Sequence, residues 1–406
     1  MEDAIGARAR MIRRRRGLGL DTVAGLVGIS KSYLSRLESG QRSFVKRGLI
    51  ESLAEVLGCA PADLTGTPDI APDRRALVAA SAIPALTAAL HDTTLDDVPN
   101  VPARPTATLV ASAREALEDA DQVRYDRVAN DRLGDLLIEL HVAAATRTGK
   151  EGRAAMAAIV DVCIVARSLS ATLGHGEVAV AATRRGWDAA RRAERPDLAG
   201  LMAMGRGISL NRVGARRRAV AVLAEELHTL ADEPGPTVKD TRSAQATGMV
   251  HLAAAQIAAK TGRSSDADTH LAEAGALARF TGEQNHMNYH FGPTNVAAWE
   301  LSIAVETERG PEVAERVEQR DTDWSVLTSA ERLAGVHFDL ARAYAQDSDG
   351  TRDAAALRHL DTADRAAPLR IRHDPVAREL VSTLDRRARR KAWELDSLKR
   401  RMGVVA

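Results

Sequence analysis

The stretch LDTVAGLVGISKSYLSRLESGQR, residues 20–42, decides the N-terminal fold. Val23, Ala24 and Val27 share one face of a helix that starts near Leu20, and Gly28 permits the sharp turn that ends it. Ser30 then stands where a helix N-cap is needed, because its hydroxyl can accept from a free backbone N–H. The next helix, residues 31–39, buries Leu34 and Leu37 and stops at Gly40. Upstream, Ile5, Ala9 and Ile12 share a face of a helix that ends at Arg16-Gly17. Downstream, Leu49, Ile50, Leu53 and Leu57 share a face over residues 46–57, and residues 61–64 add a short fifth helix. These 66 residues hold 11 Lys/Arg against 7 Asp/Glu, net +4, while the remaining 340 hold 45 against 48, net −3. A basic head on a near-neutral body points to a nucleic-acid contact at the N-terminus.

The ordering A-x-x-x-G-I-S-x-x-Y-L-S-x-L-E-x-G, from Ala24 to Gly40, resembles the helix-turn-helix of the phage-repressor (Cro/C1, or XRE) family. The resemblance runs from the first helix to Leu64. It implies that Lys31, Ser32 and Arg36 read base edges, since Lys and Arg suit guanine and Ser suits several bases. Ser30, Tyr33 and Ser35 would touch the DNA backbone, and Arg14, Arg15, Arg42, Lys46 and Arg47 would neutralise phosphates without reading sequence. It also implies a structural pair between Arg13 and Glu38. Such heads work as dimers on paired half-sites, so the implied partner is a palindromic stretch of double-stranded DNA bound by a homodimer. Two departures stand out. Leu20 replaces the family's usual glutamine, and no proline follows Gly40.

Residues 67–106 read as a Pro-marked linker, with one helix expected over residues 74–91 and kinked at Pro84. From residue 107 to 402 the chain reads as helix after helix. One spacing of small residues recurs, as Ala182, Gly186, Ala189, Ala193, then Ala267, Leu271, Ala274, Ala278, then Ala356, Leu360, Ala363, Ala367. A degenerate copy is Ala219, Leu223, Leu230, with Glu226 breaking the pattern. The last gap has room for one more unit, and Gly214, Gly262, Gly310 and Gly350 precede the marked helices as turn formers. Paired helices that cannot bury their own apolar faces must stack, which makes an α-solenoid. The body resembles the tetratricopeptide repeat in a lengthened, degenerate form. The expected fold is therefore all-α, a phage-repressor-like bundle followed by a tetratricopeptide-like solenoid.

A repressor-type head on a helical-repeat body resembles the peptide-pheromone receptor regulators and similarly built actinobacterial regulators. That likeness implies a body that dimerises and receives a peptide, small-molecule or protein effector. The segment over residues 278–300 stands out, with four of the twelve aromatics and an amide- and imidazole-rich run. Asn285, His286, Tyr289, His290, Asn295 and Trp299 are its candidate effector contacts, since Asn offers both donor and acceptor to a peptide backbone. The competing reading is a structural loop in which Phe291 and Trp299 plug the core. His286 and His290 lack a third ligand beside them, so no metal is expected. Trp187, Trp324 and Trp393 are expected to anchor a core or an interface, and residues 386–401 a basic amphipathic helix.

Composition narrows the rest. Aromatics are only 3%, which disfavours an all-β sandwich. Arg outnumbers Lys 49 to 7 and Ala is abundant, as in a GC-rich bacterial genome. Two distant cysteines, Cys59 and Cys163, fit a reducing cytosol. No apolar run approaches the ~18–20 residues a membrane span needs, so no membrane partner is expected. Nucleotide-loop, nucleophile-elbow, zinc-protease and dinucleotide motifs are missing, so neither an enzyme nor a cofactor has residues to rest on. The resulting expectation is a cytoplasmic DNA-binding transcriptional regulator. The alternative is a scaffold whose solenoid grips a partner protein while the head tethers weakly to DNA.

Overall fold

The computed structural model describes residues 4–66, 73–130, 132–232, 240–286, 288–320, 322–347, 349–388 and 392–404. Five helices make the head: α1 (Ile5–Arg15), α2 (Leu20–Val27), α3 (Lys31–Glu38), α4 (Arg47–Leu57) and α5 (Pro61–Thr65). The body opens with α6 (Arg74–Asp92), α7 (Thr106–Asp121), α8 (Tyr125–Asn130) and α9 (Leu133–Thr146). Three hairpins follow: α10 (Gly149–Thr172) with α11 (Gly176–Arg192), α12 (Pro196–Arg212) with α13 (Arg216–Ala231), and α14 (Arg242–Lys260) with α15 (Ser264–Thr281). Two more are α16 (Pro293–Glu306) with α17 (Gly310–Gln319), and α18 (Ala330–Tyr344) with α19 (Asp353–Ala366). Short α20 (Pro368–Arg372), α21 (Pro375–Arg387) and α22 (Trp393–Met402) close the array. The described residues contain no strand, and an isolated antiparallel bridge joins Gln284 and Phe291.

The marked small residues are buried where neighbouring helices cross. Gly186 of α11 shows why one position takes no side chain: a Cβ there would lie 2.6 Å from the Met202 methyl carbon and 2.9 Å from Cys163 Cβ. The extra unit allowed by the last gap is the α16–α17 hairpin. Its turn differs from the expected one. Gly310 begins α17 without a left-handed φ, and a Cβ there would sit 2.2 Å from Gln346 Oε1 and 3.0 Å from Ala343 Cα. The left-handed residue of that turn is instead Glu308, at φ 62°.

Three further expectations are corrected. Helix α10 is long and apolar enough to cross a membrane by length and composition, yet it is a core helix packed against α7, α9 and α11. The C-terminal basic run is not one helix, because α21 ends at Arg387 and α22 begins at Trp393, with residues 389–391 outside the described part. Trp393 is not a core anchor, being 67% exposed. What α22 buries is Leu395, Leu398 and Met402, while Arg401 pairs with Asp361 and Asp364 of α19.

The connector is part of the body. α6 contains Pro84 and packs on α8, α9 and α11, and Arg185 donates to the Leu90 carbonyl at 3.0 Å.

Candidate nucleic-acid interface

The head is built around α3. Leu34 and Leu37 are fully buried against Ile5, Ala9, Val23 and Ala24. Burying one such leucine side chain contributes about 1.5–3 kcal/mol. Helix α1 crosses α3 so closely that a Cβ on Gly6 would lie 2.1 Å from the Leu37 carbonyl oxygen. At the turn, Gly28 adopts φ 77°, and Ser30 Oγ accepts from the Tyr33 N–H at 3.2 Å as the N-cap of α3. Arg13 donates to Glu38 through both Nε and Nη2, at 2.6 and 2.7 Å, and through Nη1 to the Leu18 carbonyl at 2.9 Å. The charge-assisted hydrogen bonds to Glu38 raise the Arg13 pKa despite partial desolvation. This fork fixes α1 to the C-terminal end of α3.

With its apolar side held, α3 presents Lys31, Ser32, Ser35 and Arg36 to solvent. Lys31 Nζ lies 2.7 Å from Asp21 Oδ2, an exposed pair that phosphate or base contacts can replace at small cost. Arg14 and Arg15 are exposed on α1. Ser30 is exposed too, but its hydroxyl is already engaged in capping. The other expected contacts are placed differently. Tyr33 is half-buried against the core, and burial followed by the nearby Glu308 charge raises its pKa. Arg42 is half-buried, and its pKa is lowered first by burial and then by the charges of Arg387 and Arg36.

Lys46 and Arg47 turn into the body rather than outward. Lys46 pairs with Glu308, and Arg47 with Asp374. They belong to a clasp that seats the head on the solenoid. Helix α4 has no side-chain cap of its own. Glu306, at the end of α16, supplies one: Oε1 accepts from Arg47 N–H at 3.0 Å and Oε2 from Gly48 N–H at 2.9 Å. A carboxylate at a helix N-terminus meets both free amides and the positive end of the helix dipole. Arg342 of α18 binds the same carboxylate at 2.6 Å, Asp339 at 2.6 Å and the Val45 carbonyl at 2.8 Å. The Arg342 and Glu306 side chains are only 2% and 1% exposed. Burial works against the Glu306 charge, but Arg342, Lys260 and the two amides outweigh it and hold its pKa below the usual carboxylate range. Along α4, Glu51 accepts from Lys260 at 3.0 Å and from Asn211 at 2.9 Å. A Cβ on Gly48 would lie 2.5 Å from the Lys260 carbonyl, so α4 sits directly on the end of α14.

Two further cations border the head. Arg386 of α21 packs over Gly40, its guanidinium nitrogen 3.2 Å from where a Cβ would be, and Arg387 lies close enough to Arg42 to affect its charge. The basic run was visible in the sequence, but its position beside the end of α3 depends on contacts across the whole chain.

The segment between α15 and α16 is a structural joint. Phe291 is buried against Gly248, whose Cβ would lie 2.1 Å from the ring. Asn295 donates to the Tyr289 carbonyl at 3.0 Å and accepts from Arg332. Tyr289 OH accepts from Arg167 at 2.9 Å, and Arg332 lies over the Trp299 ring at 5.7 Å. His290 donates its backbone N–H to Asn285 Oδ1 at 2.9 Å. Of the six expected effector contacts, only Asn285 and His286 face solvent. The described residues from Asn285 to His290 are not helical, so His286 and His290 do not share a helical turn.

Residues 4–65 match a family described as a helix-turn-helix domain. No curated protein and no solved structure matches the chain. The matched residues are those of the five-helix head, and with its open α3 they define a DNA-binding regulator.

Proposed function

We propose that the chain is a sequence-specific transcriptional regulator, active in the cytoplasm and without enzymatic activity. It binds a palindromic operator as a homodimer, and its tetratricopeptide-like body receives a peptide, small-molecule or protein effector. The observation that carries this reading is the two-sided head. Lys31, Ser32 and Arg36 are exposed on α3, while α4 is clasped by Glu306 and Arg342. A body that supplies the cap of α4 is mechanically joined to the reading helix, so a change in helix stacking reaches the DNA face. Two heads held by two bodies then have a defined separation, which a palindromic site requires.

The test is salt-titrated binding of the purified protein to fragmented genomic DNA, with sequencing of the bound fraction. The expected result is enrichment of a short inverted repeat. Uniform recovery that disappears with salt would overturn the reading in favour of a scaffold with electrostatic DNA tethering.

A further inference from the structure

Where α11, α15 and α19 carry Ala189, Ala274 and Ala363, α13 carries Glu226, and the facing α11 carries Trp187. The Trp187 indole N–H donates to Glu226 Oε2 at 2.9 Å, and Glu226 is buried. A tryptophan and a glutamate fill the space that two small residues would close. Between α11 and α13 they leave a cleft of about 490 Å³, with Arg206 of α12 reaching it from beneath. That volume falls in the ordinary range for small-molecule sites, about 300–1,000 Å³.

The polar groups of this cleft are unevenly matched. Arg184 pairs with Asp188 at 3.2 Å, and Arg218 grips Glu225 through two hydrogen bonds of 2.8 and 3.2 Å. Glu226 is held by the indole. Arg191 and Arg206 remain. Their guanidinium carbons lie 5.1 and 6.0 Å from the Trp187 ring centroid, and among the described residues neither has a carboxylate partner. The Nε of Arg206 is buried without any hydrogen-bond partner. A buried guanidinium N–H left unmade is costly, and native structures seldom keep one without a use. Burial, followed by the charges of Arg184 and Arg218, lowers the Arg206 pKa against the opposing pull of Asp188 and Glu225.

We infer that this cleft is a binding site for the oxyanion group of a small metabolite, a phosphate or a carboxylate. Arg206 and Arg191 are its donors and Trp187 and Val222 its wall. Planar guanidinium forks suit both oxyanions, and flanking apolar surface strengthens the charge-assisted hydrogen bonds. The inference is independent of DNA binding, because the site lies on the outer helices and uses no residue of the head.

The test is titration of the full-length protein with inorganic phosphate and, separately, with acetate, at constant ionic strength set by sodium chloride. Binding is followed by tryptophan fluorescence and by calorimetry. A saturable signal with either anion is expected, and which anion gives it identifies the ligand class. Arg206→Gln should weaken binding at least tenfold, and Arg191→Gln, an exposed position that leaves folding intact, should weaken it several-fold. Trp187→Phe should lose the optical change. Arg217→Gln, on α13 but outside the cleft, should bind as the parent does. No saturable binding of either anion, or equal affinity in the parent and the Arg191 and Arg206 variants, would overturn the assignment.

Discussion

Arg36 and Arg47 both belong to the basic head, yet they face different surfaces. Arg36 is exposed on α3, whereas Arg47 is bound to Asp374 of the body. Local pattern could read the first and not the second. A capping serine, an Arg–Glu fork and a leucine face depend on neighbours within the head, which is why Ser30, Arg13, Glu38, Leu34 and Leu37 were legible. The partners of Lys46, Arg47 and Glu51 lie in α14, in the α16–α17 turn and before α21, and nothing in the adjacent sequence announces them. The exposed cations should separate by measurement. Lys31→Ala and Arg36→Ala should each cost about 1–3 kcal/mol on the preferred site and little on random DNA. Arg14→Ala and Arg15→Ala should weaken both alike and flatten the salt dependence. Competition binding with specific and random duplexes at several salt concentrations reads both. Equal loss on both duplexes for Lys31 and Arg36 would remove them from base reading.

At the scale of elements, close crossings set the tolerance to change. Gly6→Ala pushes a methyl into the Leu37 carbonyl and must move α1 from α3. Overpacking of this kind costs about 1–3 kcal/mol, so thermal denaturation should show a clear fall in melting temperature. The repeat rhythm was legible because small residues recur on the outer helices, but the α16–α17 hairpin was visible only as a gap. Its turn uses Glu308 in a left-handed conformation, where the sequence offered Gly310 as the obvious candidate.

Two hairpins also carry facing histidines. His251 meets His270 with Nδ1 atoms 2.9 Å apart, and His337 meets His359 at 3.0 Å. Burial, followed by the neighbouring imidazole, pushes His251 and His337 down to about 4. Both are neutral in the fold and take up protons on unfolding below about pH 6.5, so their contribution is full above that value and is lost towards pH 4. Asp161, raised to about 6 by burial, titrates in the same window with the opposite sign. The histidine effect is therefore the difference between the parent and a His251→Asn, His337→Asn variant. Urea unfolding from pH 7 to 4.5 should show the parent losing more stability than the variant, and parallel curves would refute the assignment.

For the whole molecule, the clasp makes head and body one mechanical object. Glu306→Ala removes the cap of α4 and leaves Arg342 with one carboxylate fewer in a buried site. Breaking such a buried pair typically costs about 3–5 kcal/mol. Hydrogen exchange should show the Arg47 and Gly48 amides losing protection in this variant, while amides in α10 and α12 keep theirs. Unchanged protection at Arg47 and Gly48 would mean that the body does not hold the head. The all-α class and the division into a compact basic start and a repetitive remainder were legible from composition and periodicity. The seating of one on the other was not, because it is built from side chains whose partners lie more than 150 positions away.

The borrowed cap has a consequence for domain exchange. A DNA-reading module moved onto another sensor keeps its stability when it carries its own stabilising groups. Here the fourth helix of the module depends on a carboxylate 258 positions further along the chain. A chimaera that moved residues 4–65 onto another sensor would leave that helix end bare and its polar face without partners. Transplantation of this domain should therefore lower its stability unless the acceptor supplies an acidic residue at the same place.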